Sequence, residues 1–189
     1  TCQAQHRPDD TPMSMCRPHA PTPLLAAMLF GLLLLTTGPM AQASTPSPSE
    51  LAPSQDTTTV LTLHDGAQRQ NVSRADIETL PLYEVTLNHF EGIKGRFTGV
   101  WLDDFLAEYG LDEPTPLRFI AHDDYTTFLS REDRREKRFL LATRLDGEPL
   151  TLSEFGPTLL IVPEDAAAVE AGTASMTHWV WSIRDIIAP

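Results

Sequence analysis

Cysteines are scarce in this sequence, and both lie close to its start. Cys2 and Cys16 precede a predicted cleavage site after Ala43, so the chain from Ser44 onward has no cysteine. That part of the chain can form no disulfide and offers no thiolate as a metal ligand or nucleophile. A domain without disulfides depends on its hydrophobic core, and residues 44–189 are enough to build one sizeable core.

Basic residues are also few. The chain has 14 Lys and Arg against 26 Asp and Glu, a formal net charge of −12. Such an acidic chain is poorly suited to nucleic acid or anionic membrane surfaces. One stretch, REDRREKR at 131–138, is locally basic. We interpret it as a solvated helix or loop with local ion pairs, and a docking patch for an acidic partner is the alternative.

Long apolar runs are confined to one segment. Leu24–Leu35 is an unbroken run of 12 apolar residues, whereas a helix needs about 20 to span a bilayer. Arg17 precedes the run, and the small-x-small sequence at 41–43 follows it, as in a secretory signal peptide. Residues 1–43 are therefore expected to be upstream residues and a cleaved leader, with translation starting at Met13 or Met15. The protein is then periplasmic or secreted, with no stable membrane insertion after cleavage.

The remaining chain divides by composition. Residues 44–57 are rich in Pro, Ser and Thr, which predicts a flexible linker. Residues 58–187 contain alternating apolar stretches that predict a single domain rich in strands. The predicted strands cover residues 60–63, 68–72, 83–87, 117–121, 139–143, 158–162 and 179–182. A capping box at Ser73 and Asp76 predicts a short helix over 74–79.

The stretch from Phe97 to Tyr125 has the clearest pattern. Gly99 is interpreted as a chain reversal. A helix is predicted over 101–109, because apolar residues recur there at helical spacing, and Gly110 is placed to end it. The residues predicted to be buried together are Leu102, Phe105, Leu106, Phe119, Leu160 and Val162.

Five sequence blocks in this part of the chain follow a known order and spacing. They are Phe97–Leu106 (F-x-G-V-x-L-x-x-x-L), Ala121–Tyr125 (A-x-D-x-Y), Leu145–Leu150, Gly156–Pro163 and Trp179–Ile183. Together they resemble the sulfite oxidase-type molybdopterin-binding oxidoreductase domain. The resemblance covers roughly residues 58–187 and implies an α+β fold, a strand-rich mixed or barrel-like sheet with few short helices.

The sequence departs from that family at the metal-binding position. Catalytic members carry a cysteine that ligates molybdenum, in a segment close to Cys-x-Glu-Gly. Here Glu91-Gly92 matches, while His89 or Phe90, depending on the alignment, occupies the cysteine position. Imidazole is no simple replacement, because the soft thiolate tunes the metal.

A second departure concerns the pterin phosphate. In cofactor-bearing relatives an arginine on the strand after Gly-x-Pro and a downstream lysine hold this group. Here that strand is Leu159–Ile161, and residues 164–178 contain no Lys or Arg. The leader also lacks the Arg-Arg pair of the twin-arginine route, by which molybdopterin enzymes are generally exported after loading.

These departures lead to two functional hypotheses. The first is a non-catalytic module with no cofactor, in which the former cofactor crevice binds a small polar ligand or an exported or membrane partner protein. The second is a molybdopterin-dependent oxidoreductase with altered metal ligation. The predicted pocket is lined by Asn88, His89, His122, Asp123 and Tyr125, which supply amide, imidazole, carboxylate and phenol groups for a polar or cationic ligand.

Overall fold

A computed structural model describes residues 45–89, 91–113 and 116–189. The first half of the chain gives β1 (Ser47–Pro48), β2 (Thr59–Asp65), β3 (Gln68–Ser73), α1 (Arg74–Ile77), β4 (Tyr83–Asn88), β5 (Lys94–Trp101) and α2 (Leu102–Glu108). The second half gives β6 (Leu117–Ala121), β7 (Thr126–Leu129), α3 (Arg131–Glu136), β8 (Leu140–Leu145), β9 (Glu148–Pro149), β10 (Leu159–Ile161), α4 (Ala166–Glu170) and β11 (Ile183–Ala188). Short 3-10 turns cover Leu152–Glu154 and Pro163–Asp165.

The strands in this part of the chain form two sheets. Sheet A has the order β1-β4-β5-β8-β10, with β9 paired to β8, and sheet B has the order β3-β2-β11-β6-β7. Sheet A is antiparallel, whereas sheet B combines antiparallel pairs with the parallel pair β2–β11. The predicted α+β class, rich in strands and with few short helices, is confirmed.

The predicted core is confirmed. Its six members are at most 1% exposed and belong to one buried apolar cluster: Leu102, Phe105, Leu106, Phe119, Leu160 and Val162. The helix over 101–109 is observed as α2, and Gly110 follows it with φ +70°, a conformation that residues with a Cβ adopt at a cost. The capping box of Ser73 and Asp76 is also present at the start of α1.

The lead-in segment differs from its prediction. Ser47 and Pro48 pair with β4, and the backbone N–H of Ser54 donates to the Glu78 carboxylate at 2.7 Å. Asp56 also binds the Arg74 guanidinium at 2.7 Å. Residues 45–57 therefore pack against the domain and do not form a flexible linker. Composition misled here because Pro, Ser and Thr also suit an edge strand and hydrogen-bonded turns.

Two further predictions are wrong in detail. Gly99 lies inside β5, which continues to Trp101 without reversing, and a Cβ at Gly99 would stand 2.1 Å from the Leu141 carbonyl oxygen. The glycine permits close contact of two strands and makes no reversal. The closing strand is β11, after the segment 179–182 that was predicted to form it. Trp179 is buried in that irregular segment and Trp181 is half-buried.

Leu106→Ala tests the helix face. Leu106 is fully buried on α2, so its truncation is expected to lower the free energy of unfolding by about 2–5 kcal/mol through lost burial and a cavity. Urea unfolding followed by circular dichroism measures this change. Ala107→Ser, on the exposed side of the same helix, is the control and should change stability by less than about 0.5 kcal/mol. A result near zero for Leu106→Ala contradicts the packing of α2.

Candidate functional site

The first group of predicted site residues lies where β4 ends. Asn88 is the last residue of this strand, and its amide donates to Glu170 Oε1 on α4 at 3.0 Å. His89 follows and is only 2% exposed. Its backbone N–H donates to the carbonyl oxygen of Ile93 at 2.7 Å, and its Nδ1 accepts from the N–H of Glu91 at 3.3 Å. The turn after β4 therefore fixes the imidazole in the protein interior.

Aromatic rings surround the His89 side chain. Its ring centroid lies 5.4 Å from that of Phe155 and 5.5 Å from that of Trp179, which meets it edge-on. Burial disfavours the charged imidazolium and lowers the pKa of His89 to about 4. At neutral pH this side chain is therefore an uncharged imidazole in an aromatic environment.

The second group lies in the turn between β6 and β7. Asp123 Oδ1 accepts a hydrogen bond from the N–H of Tyr125 at 3.0 Å, and the N–H of Asp124 donates to the carbonyl oxygen of Ala121 at 3.1 Å. These bonds close the turn, with Asp124 at φ +64°. Asp123, Asp124 and Tyr125 are consequently presented to solvent at the end of the strand.

A row of aromatic rings connects the two groups. Phe155 contacts His89 and lies 6.1 Å from Trp181, and Trp181 stacks on Tyr125 with centroids 5.7 Å apart and an interplanar angle of 11°. We call His89, Phe155, Trp181 and Tyr125 the aromatic row. It leads from a buried imidazole to a phenol that is 38% exposed.

Backbone hydrogen bonds hold the aromatic row in place. The N–H of Ser182 donates to the carbonyl oxygen of Phe155 at 2.7 Å, and the N–H of His122 donates to that of Ser182 at 2.9 Å. Phe155 and Ser182 have φ of +64° and +46°, which costs non-glycine residues free energy. Backbone hydrogen bonds thus join three segments that are distant in sequence, around residues 122, 155 and 182, and two of these residues have a strained backbone conformation.

His122 takes part in a different cavity. His122 lines an open cleft of about 370 Å³, together with Arg184 and with apolar residues of β2 and of the loop before β10. The rest of the lining is Thr59, Val60, Leu61, Thr62, Leu150, Leu152 and Pro157. Near this cleft, Arg184 bridges Asp124 at 2.9 Å and Asp185 at 2.8 Å. Its positive charge is therefore largely balanced by two carboxylates.

Sequence reasoning missed two members of the aromatic row. Neither Phe155 nor Trp181 is among the five residues that were predicted to line the pocket. Period-two alternation of Trp179 and Trp181 indicated a strand, whereas the segment is irregular. The left-handed backbone of Phe155 has no signature in the sequence, so only the structure reveals its role.

The part of the chain that the structure describes contains no cluster of three His, Cys, Asp or Glu side chains that could hold a metal ion. None of its helices has the length and apolarity needed to cross a membrane. Phe90, the second candidate for the cysteine position, lies outside the described residues.

Comparison with known proteins identifies the family. No curated protein matches the chain. The family model described as the oxidoreductase molybdopterin binding domain matches residues 32–183, which is most of the chain. The match includes β1 to β10 and the aromatic row, and it ends at the first residue of β11. The resemblance in the sequence blocks is therefore confirmed, and the chain belongs to the molybdopterin-binding oxidoreductase domain family.

Proposed function

We propose that this chain is an exported, non-catalytic member of its family, which binds a small polar or cationic ligand or a partner protein with the region around the aromatic row. The observation that carries the proposal is the environment of His89. At His89, one of the two candidate positions for the thiolate of catalytic relatives, an imidazole that is only 2% exposed lies beside Phe155 and Trp179. These side chains do not fit molybdenum ligation by sulfur.

The charges nearby also fit the cofactor poorly. The segment 164–178 carries Glu164, Asp165 and Glu170 and no Lys or Arg. Asp165 of this segment is paired with Lys137, and Glu170 accepts a hydrogen bond from Asn88. A pterin phosphate would meet carboxylates in place of cations, and an uncompensated buried dianion is strongly unfavourable.

The same groups suit a different kind of ligand. Tyr125 offers an exposed phenol stacked on Trp181, and the exposed Asp123 adds a carboxylate in the same turn. Aromatic faces and carboxylates attract cations, and the amide of Asn88 adds hydrogen-bonding capacity. A small polar or cationic molecule is therefore the ligand class that this region favours. The predicted leader and the cysteine-free chain after it favour a periplasmic or secreted setting.

A molybdopterin-dependent oxidoreductase with altered ligation is the second candidate. One observation favours it: the lowered pKa of His89, caused by burial, keeps the imidazole neutral, which is the form that binds metals. His89 is then the residue that would have to replace the thiolate. The acidic segment 164–178 stands against this candidate, because it supplies no partner for the phosphate.

Molybdenum content distinguishes the two candidates. The chain is expressed with its own leader in a host that makes the cofactor, and the metal is measured per folded chain, with a cysteine-bearing relative as positive control. We expect no molybdenum in the native chain. We expect none in His89→Cys either, because the phosphate-binding cations remain absent. Near-stoichiometric molybdenum in the native chain contradicts the binding-module proposal.

A further inference from the structure

The edge strands of the two sheets differ in length and in how well they are protected from pairing with another chain. The outermost strands of sheet A, β1 and β10, have two and three residues, and β7 on sheet B has four. The N–H of Leu160 in β10 is in addition bound to the carbonyl oxygen of Val180. β3, at the other edge of sheet B, has six residues, and its first four are exposed. Natural proteins usually keep exposed edges short or blunt them with Lys, Pro or a bulge.

The β3 edge carries few of these protections. Residues 68–71 read Gln-Arg-Gln-Asn, without Lys or Pro. The bulge in the β2–β3 pair lies at the other end, between Thr59 and Leu61. Among the described strands, β3 pairs only with β2. This edge therefore presents a regular row of backbone groups that another extended chain could pair with.

A cleft lies directly beside this edge. It has a volume of about 280 Å³ and is bounded by the strand residues 68–70 on one side and by Tyr109 and Leu111, just after α2, on the other. Leu63 and Asp65 of β2 complete the lining. A strand added along β3 would place alternate side chains on this face of the sheet, so one of them would enter the cleft.

The face of β3 that borders the cleft follows from its register. Val72 is fully buried, so Gln68 and Gln70 share its inner face, whereas Arg69 lies opposite His64 on the outer face. Asp65 pairs with Gln68 and therefore also belongs to the cleft side. The inner face of the cleft thus has amides and a carboxylate. Arg69 also belongs to the lining, although strand alternation assigns its side chain to the outer face.

Acidic residues also affect the Tyr109 side chain, which lines the cleft. Burial raises the pKa of the Tyr109 phenol, and the nearby charges of Asp76 and Glu108 raise it further. Asp65 is the carboxylate in the lining itself, beside the half-buried Tyr109 phenol and the amides of Gln68 and Gln70. A cationic side chain would be attracted by these carboxylates and could donate hydrogen bonds to the phenol and amide oxygens.

We propose that β3 and this cleft form a docking site for an extended segment of another protein, which adds as a strand and inserts a lysine or arginine side chain beside Asp65 and Tyr109. This surface is separate from the aromatic row. A second copy of the chain fits it less well. A second β3 would bring Gln68 and Gln70 to the cleft instead of a cation, and two chains of net charge −12 repel each other.

The test uses a heptapeptide of alternating Thr and Val with a central Lys, acetylated and amidated at its ends. Binding to the protein is measured by calorimetry and mapped by amide chemical shifts. We expect the Lys peptide to bind at least about tenfold more tightly than the same peptide with a central Glu, a difference of about 1.4 kcal/mol. Methylation of alternate backbone nitrogens should abolish binding, because it prevents strand pairing.

Two matched variants locate the site. Gln70→Lys places a positive charge in the cleft and should lower the affinity for the Lys peptide about tenfold. Asn71→Lys adds the same charge to the next residue, on the opposite face of β3, and should change affinity less than about threefold. Equal affinity for the Lys and Glu peptides, no binding of the Lys peptide, or equal effects of the two variants overturns the proposal. So does a concentration-dependent dimer whose shifts map to β3.

Discussion

Replacing Glu78 by Gln is expected to lower the free energy of unfolding by about 3–5 kcal/mol, because it breaks a buried ion pair and leaves its cation uncompensated. The Glu78 carboxylate is fully buried, and its partner Arg144 has a side chain that is 13% exposed. Arg144 binds both carboxylate oxygens, with Nε at 2.9 Å from Oε1 and its NH2 group on Oε2.

The Glu78 carboxylate also joins three parts of the fold. Oε1 accepts from Thr143 Oγ1 on β8 at 2.7 Å, and Oε2 accepts from the N–H of Ser54 at 2.7 Å. Arg144 in turn donates to the carbonyl oxygen of Ala52 at 3.0 Å. The lead-in segment, the end of α1 and β8 therefore share one network, and its loss is expected to loosen residues 45–57 first.

An exposed ion pair supplies the matched control for Glu78→Gln. Glu113→Gln removes a carboxylate that is 68% exposed and paired with Arg131, and it should cost less than about 1 kcal/mol. Urea unfolding gives both values, and hydrogen exchange reports the lead-in segment. The double variant Glu78→Leu with Arg144→Met should recover part of the loss, since no charge stays buried. Equal effects of Glu78→Gln and Glu113→Gln contradict the assigned network.

Local features of this fold were predictable from the sequence. The face of α2, the capping box at Ser73 and the β2–β3 hairpin around Asp65-Gly66 each depend on residues close together in the chain. Their spacing and capping chemistry therefore identify them directly. The family resemblance added the α+β, strand-rich fold class, and the family match is consistent with it.

Features that depend on distant residues were not predictable in the same way. The aromatic row needs Phe155 beside both His89 and Trp181, positions that are separated by 66 and 26 residues. Nothing in the local sequence of Phe155 indicates these contacts or its positive φ. β11 was missed because a shift in its pairing with β6 between Ile183 and Asp185 breaks the regular alternation.

The role of Gly99 also depends on a distant strand, because Gly99 packs against β8. Its substitution is therefore expected to lower the stability of the protein strongly. β5 and β8 approach so closely that a Cβ on Gly99 would lie 2.1 Å from the Leu141 carbonyl oxygen and 2.6 Å from Ala142 Cα. Both are backbone atoms in the middle of sheet A, so neither can move without breaking strand pairing. The pairing shifts between Thr98 and Gly99, which shows that the register already adjusts at this contact.

Gly99→Ala is therefore expected to lower the free energy of unfolding by at least about 4 kcal/mol, in the range of the most damaging single substitutions. Gly66→Ala is the matched control. Its Cβ would meet nothing within 4 Å, so only the left-handed backbone at φ +55° opposes it, at a cost of about 1–2 kcal/mol. Urea unfolding measures both, and near-ultraviolet circular dichroism reports any loss of packing around the aromatic side chains, which include Trp101 two residues along β5. A Gly99→Ala protein as stable as Gly66→Ala contradicts the close packing of β5 on β8, and with it the explanation of Gly99 as a contact residue.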